Sequence, residues 1–147
     1  MADRPDTAEF GERVPGAEYA LRPSAYALIT NPIGQIAVVR TAQGVFLPGG
    51  GIETGESPEQ AVEREVLEEC GFGIRLCSRL PSAVQLVYSP SELACFEKPS
   101  TFFMAVVDGR RAEPLANGHE VVWLASDDAK ALLSHESHRW VLRYMES

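Results

Sequence analysis

Residues 57–71 read SPEQAVEREVLEECG, and their pattern is that of a capped helix with an unusual charge distribution. Ser57 has the small polar side chain that caps a helix N-terminus, Pro58 suits the first helical position, and Gln60 stands three residues after the cap. Gly71 is a C-terminal stop, because a helix end favours the left-handed conformation that glycine adopts without strain. The spacing therefore predicts a helix from Pro58 to about Cys70. Its apolar stripe is Val62, Val66 and Cys70. Beside that stripe lie Glu65, Glu68 and Glu69, which at about 100° per residue fall within an arc of roughly 100°.

Like charges three and four residues apart repel, and anions in the last turn oppose the helix dipole, each at a cost of a few tenths to about 1 kcal/mol. With Glu59, Glu63, Glu65, Glu68 and Glu69 against Arg64, the segment carries −4. A sequence that breaks local rules in this way most often marks a functional site. Two readings compete: a solvated acidic face, or a site for a hard cation such as Mg²⁺ or Mn²⁺, which takes oxygen ligands and completes its shell with water and phosphate. The flanking sequence decides. Residues 47–56, LPGGGIETGE, lie directly before the helix and include three consecutive glycines, and glycine lets a backbone approach a ligand closely.

Working outward, SAYALIT and QIAVVR on either side of NPIG read as two strands joined by a turn, and VFLPGGG as a strand ending in proline and glycines. Beyond the helix, IRLCSRL, AVQLVYS, STFFMAVV and EVVWLA read as four further strands. DDAKALL and SHRWVLRYM read as short terminal helices. Residues 89–100, SPSELACFEKPS, are polar enough to form a mobile loop over the site. Residues 1–16 mix acids, Pro and Gly without periodicity and read as a loosely structured arm, with residues 17–147 as a single domain. Strands around one central helix, with helices at the end, predict an α/β (α+β) sandwich on a mixed sheet.

At 147 residues the chain has room for one sizeable core. Its 45% apolar and 23% charged residues fit a folded domain and exclude a disordered tail. A net charge of −8 argues against adhesion to duplex nucleic acid, which relies on Lys and Arg displacing counterions. An anionic ligand would need a cation as intermediary. No run of about 18 apolar residues suggests a membrane span, and the acidic N-terminus lacks the marks of a signal peptide, so a cytoplasmic location is expected. Cys70, Cys77 and Cys95 form no CxxC pair and read as free thiols.

Residues 50–72, GGIETGESPEQAVEREVLEECGF, resemble the signature of the Nudix, or MutT-like, hydrolases. Gly50, Glu56, Arg64, Glu65, Val66, Glu68, Glu69, Gly71 and Phe72 satisfy its positions at the right spacing. With each residue type at roughly one in fifteen, seven fixed positions match by chance at about 10⁻⁸ per start site. The resemblance implies a Nudix-like α/β/α sandwich around a central mixed β-sheet. It implies a Mg²⁺-dependent enzyme, with Mn²⁺ as a substitute, that cleaves the pyrophosphate of a nucleoside diphosphate linked to another group. Nucleoside triphosphates, nucleotide sugars, ADP-ribose and dinucleoside polyphosphates are the substrate classes. A non-catalytic nucleotide-binding regulatory domain of the same fold is the alternative; such domains usually lose a box acid, and here all are present.

By motif position the resemblance gives Glu65, Glu68, Glu69 and the Gly49 carbonyl as metal ligands, with Glu65 also a candidate base. Gly50, Glu56, Arg64 and Gly71 support the site, Arg64 by a charge-assisted pair with Glu56. A late acid is a further candidate ligand or base, and Glu120 is favoured for it over Glu92 and Glu97. Arg22 and Arg40 stand at strand ends where a planar fork could reach phosphate oxygens, with a solvated arginine as the competing reading. Phe46, Tyr26 and Phe102 are candidates for stacking on a base, or for plain core. His119, beside Glu120, is a candidate to assist, with a surface histidine as the favoured reading, and His135 and His138 lack the neighbours of a zinc site. The expected partner is a small nucleotide-type molecule, and a homodimer is left open.

Overall fold

A computed structural model of the chain describes residues 7–114 and 118–146. In chain order its elements begin with β1 (Ala8–Phe10), β2 (Tyr19–Leu21), β3 (Ser24–Ile29), β4 (Ile36–Thr41), β5 (Gly44–Phe46) and β6 (Gly49–Gly51). They continue with α1 (Pro58–Cys70), β7 (Phe72–Ser89), β8 (Ala94–Arg111), β9 (Glu120–Leu124), α2 (Ser126–Leu132), α3 (Glu136–Val141) and a 3-10 segment (Leu142–Glu146). The larger sheet has the order β1-β7-β8-β3-β6, with β2 also on β8; the smaller is β5-β4-β9. Parallel pairs (β1 with β7; β2 and β3 with β8) stand beside antiparallel ones, so the large sheet is mixed, as expected.

Every residue of β3 is buried, and its side chains alternate between two cores. Ala25, Ala27 and Ile29 pack with Ala61, Val62 and Val66 of α1 and with Phe103 and Ala105. Tyr26 and Leu28 pack the other way, with Phe102, Ala129, Leu133, Val141 and Leu142. One helix thus covers one face of the sheet and two short helices the other, the α/β/α layering. Full burial of a side chain such as Leu28 contributes about 1.5–3 kcal/mol.

Helix α1 has the bounds its caps predict. The Ser57 hydroxyl accepts from the Gln60 N–H at 3.1 Å, and the Gln60 side chain accepts from the Ser57 N–H at 2.9 Å. Gly71 closes the helix at φ 77°, its N–H donating to the Leu67 carbonyl.

Elsewhere the structure corrects the reading. IRLCSRL and AVQLVYS are one strand, β7, bent by irregularities that include a register shift between Leu80 and Ala83, which leaves Pro81 outside the ladder. The supposed loop 89–100 is a turn of residues 90–93 followed by the first half of β8. Its backbone is paired by β7 on one side and by β2 on the other, and Phe96 is buried. The three glycines form β6, a strand paired with β3. Residues 1–6 of the expected arm lie outside the described residues. The rest of it supplies β1 on the edge of β7, and the Gly11 N–H donates to Glu136 at 3.1 Å.

Candidate active site

Helix α1 carries the acids, and β6 is the backbone they face. Gly49 lies opposite Tyr26, Gly50 opposite Ala25 and Gly51 opposite Ser24. At Gly49, φ is 143°, and a side chain would strike the Ala25 carbonyl; a Cβ on Gly50 would lie 2.7 Å from Cδ of Glu65. Missing side chains thus let Glu65 lie directly against β6. The Gly49 N–H donates to Glu69 at 3.0 Å, so the contact Gly49 makes with the acids here is through its amide.

Arg64 ties the approach to the helix. Its Nε and Nη2 donate to the Glu56 carboxylate at 2.6 and 2.9 Å, and Nη2 donates also to the Gly51 carbonyl at 3.1 Å. Nη1 lies 3.3 Å from Glu65 and 3.4 Å from Glu68. The guanidinium holds the Glu56 carboxyl down to about 2, helped by the Glu53 N–H, and Glu56 in turn raises the proton affinity of Arg64. Among the described residues no three His, Cys, Asp or Glu side chains are already arranged as a metal cage; Arg64 supplies the positive charge between Glu65 and Glu68.

Burial raises the Glu65 carboxyl above its ordinary range against the pull of Arg64. Glu69 is pushed up to about 7, chiefly by burial and further by Glu65 and Glu68, although the Gly49 N–H opposes the shift. These shifts express how poorly the fold tolerates the charges it has gathered. Cys70, beside Glu69, is held by burial as a thiol, pushed up to about 12.

His119 is no free surface residue. It is 28% exposed, and its Nδ1 lies 3.3 Å from the Glu69 carboxylate. Glu120 follows it at the start of β9, paired in register with Arg40 and 3.8 Å from its guanidinium at an exposed rim. Gly49, Gly50, Glu56, Arg64, Glu65, Glu68 and Glu69 therefore form one cluster, Gly71 sits at its helix end, and Arg40 and Glu120 stand beside His119.

Arg22 and Phe46 are elsewhere. They line a cavity of about 460 Å³ together with Gln43, Phe96, Lys98 and His135, among others. The Arg22 guanidinium stacks 3.8 Å from the Phe96 ring centre and pairs with Glu92 at 3.3 and 3.4 Å. Phe46 meets His135 with ring centres 4.9 Å apart. Tyr26 and Phe102 lie in the core next to His138, whose Nδ1 accepts the Leu47 N–H at 3.1 Å. Burial holds both histidines neutral, His135 at about 4 and His138 well below its ordinary value. Lys98 went unnoticed in the sequence because its segment read as a loop.

A mixed-sheet α/β/α sandwich with this acid-bearing helix beside a glycine strand defines a class of hydrolase, and the family model described as the NUDIX domain matches residues 20–145. The chain belongs to the Nudix hydrolase family, whose enzymes act on phosphoanhydride bonds. It is 33% identical over 107 residues to a protein of Haemophilus influenzae named 8-oxo-dGTP diphosphatase, covering 68% of this chain and 73% of that one. It is 29% identical over 133 residues to an RNA pyrophosphohydrolase of Cellvibrio japonicus, covering 82% and 71%. In fold it is similar to the crystal structure of a MutT protein from Methanosarcina mazei, with a TM-score of 0.68, 20% identity and coverage of 89% and 96%.

Proposed function

We propose that the chain is a Mg²⁺-dependent pyrophosphohydrolase of small nucleotide-type substrates, in which a nucleoside diphosphate is linked to another group. The observation that carries this reading is the packing of Glu65 on Gly50 and of Glu69 on the Gly49 N–H, with Glu68 beside them on the same helix at the Arg64 guanidinium, hard oxygen donors whose mutual repulsion a divalent cation relieves. The names of two relatives, a diphosphatase and a pyrophosphohydrolase, support the reaction type.

Glu65, Glu68 and Glu69 would hold Mg²⁺ or Mn²⁺, which supplies charge neutralisation of the pyrophosphate and polarisation of its phosphorus–oxygen bonds. The remaining work is the chain's own. A Glu65 carboxylate oxygen takes the proton of the attacking water as the new oxygen–phosphorus bond forms. The bridging phosphorus–oxygen bond then breaks, and its electron pair leaves with the departing phosphate group. Glu65 suits this part better than Glu120, because it is packed on Gly50 inside the cluster while Glu120 stands 67% exposed at the rim. Arg64, through Glu56 and the Gly51 carbonyl, keeps the acids and β6 in fixed relation. Arg40, which pairs with Glu120 at the exposed rim, would meet phosphate oxygens once it releases that carboxylate.

The test is incubation with Mg²⁺ or Mn²⁺ and a panel of nucleoside triphosphates, oxidised nucleotides, ADP-ribose, nucleotide sugars and dinucleoside polyphosphates. Metal-dependent release of a nucleotide product is expected. Absence of cleavage across the panel contradicts the reading, and tight binding without turnover favours the regulatory-domain alternative.

A further inference from the structure

The cavity that holds Phe46 and His135 contains a cation, Lys98, with no anionic partner among the described residues. Phe96, Lys98, Ser100 and Phe102 alternate onto one face of β8, the face covered by α2 and α3. From there the half-buried Lys98 ammonium donates to the Tyr26 hydroxyl at 2.9 Å and lies 5.6 Å from the Tyr26 ring centre. Among the described residues these are its partners, and no carboxylate stands within ion-pair distance. Arg22, the other cation of the cavity, is already engaged by Glu92 and Phe96.

An ammonium carries three donors and no acceptor, so after Tyr26 two donors remain for a ligand. Two flat rings line the cavity with it, Phe46 and the His135 imidazole, which burial and Lys98 itself keep neutral, while the charged lining residues Arg22 and Glu92 are paired with each other. Rings plus one cationic donor suit a planar heterocycle that presents an acceptor. A carbonyl oxygen satisfies the ammonium, whereas an amino group in the same position turns donor against donor and leaves the charge unpaired. Tyr26 itself packs against Gly49, so the ammonium and the acid cluster lie on either side of the glycine strand.

We propose that Lys98 is a specificity-determining residue: its ammonium, positioned by the Tyr26 hydroxyl, donates to the carbonyl at position 6 of a bound purine or position 4 of a bound pyrimidine, favouring guanine and uracil nucleotides over adenine and cytosine nucleotides, which carry an amino group there. This rests on reading the cavity as the place where the base of a nucleotide substrate lies. Lysine donation to a guanine carbonyl is a common base-reading contact, and one good contact of this kind discriminates by about tenfold or more.

Calorimetric titration of GMP, AMP, UMP and CMP into the wild type, Lys98→Met and Lys98→Arg tests it without metal or turnover. Expected is about tenfold tighter binding of GMP than AMP and of UMP than CMP, lost in Lys98→Met through weaker GMP and UMP binding, and kept in Lys98→Arg. Equal affinities in the wild type overturn the proposal, as does failure of all four to bind. So does a uniform loss in Lys98→Met, which would mark a phosphate contact. The wild-type ratio is informative even if a variant fails to fold. Hydrolysis without base preference would sink this proposal alone, and base preference without hydrolysis would sink the enzymatic reading alone.

Discussion

Arg64 grips Glu56 through two hydrogen bonds of 2.6 and 2.9 Å while the same guanidinium touches Glu65, Glu68 and the Gly51 carbonyl, so one side chain fastens the turn before α1, the strand β6 and the acids. The planar fork of the guanidinium is what permits several such bonds at once. Arg64→Ala is expected to lower the melting temperature by roughly 5 °C and to abolish most activity. Arg64→Lys, which keeps the charge and loses the fork, should fall between. Thermal scans and rates on the best substrate check both.

Gly50 tests the packing of Glu65 directly. The methyl of Gly50→Ala would sit 2.7 Å from the Glu65 carboxylate carbon, and Glu65 must swing away. A misplacement of about 1 Å at a reacting group costs on the order of 100-fold in rate. The variant should therefore lose about that factor in kcat with a near-normal melting curve. Gly49→Ala should instead fail to fold well, because its φ of 143° and its contact with the backbone of Ala25 leave no alternative.

The buried histidines fix a pH dependence of stability. Unfolded histidine titrates at 6.5, while folded His135 titrates at about 4 and His138 well below 6.5. Between those values the folded state binds fewer protons, so the contribution is present above pH 6.5 and is lost as pH falls toward 4. Glu69, raised from 4.5 to about 7, works in the opposite sense over an overlapping range, since its protonated form is the one the fold prefers. Comparing wild type with His135→Phe cancels the Glu69 part. The variant's melting temperature should fall less steeply from pH 7 to pH 5, and parallel curves would contradict a buried neutral His135.

Much of this molecule was legible because its decisive helix is locally specified. Ser57, Pro58, Gln60 and Gly71 act within a few residues of themselves, and both helix bounds follow from them. The long strands were harder to read. Pro81 and Pro99 look like breaks, yet a register shift absorbs Pro81, and Pro99 lies between the residues that pair with β2 and those that pair with β3, where its missing N–H costs nothing. The same misreading hid Lys98, which projects into the cavity only because residues 94–100 are strand. His119 meets Glu69 through a pairing of β9 with β4 that no local pattern announces.

The acids themselves carry the central claim, that Glu65, Glu68 and Glu69 bind a divalent cation. Relieving their repulsion with Glu69→Gln should leave the metal-free protein folded and no less stable than wild type, since the change removes an ionisation that burial opposes. The most direct measurement is calorimetric titration of Mn²⁺ and Mg²⁺ into wild type, Glu68→Gln and Glu69→Gln. Saturable binding to wild type, weakened at least about tenfold in each variant, is the predicted result. Absence of binding to wild type, or equal binding by all three proteins, would contradict it.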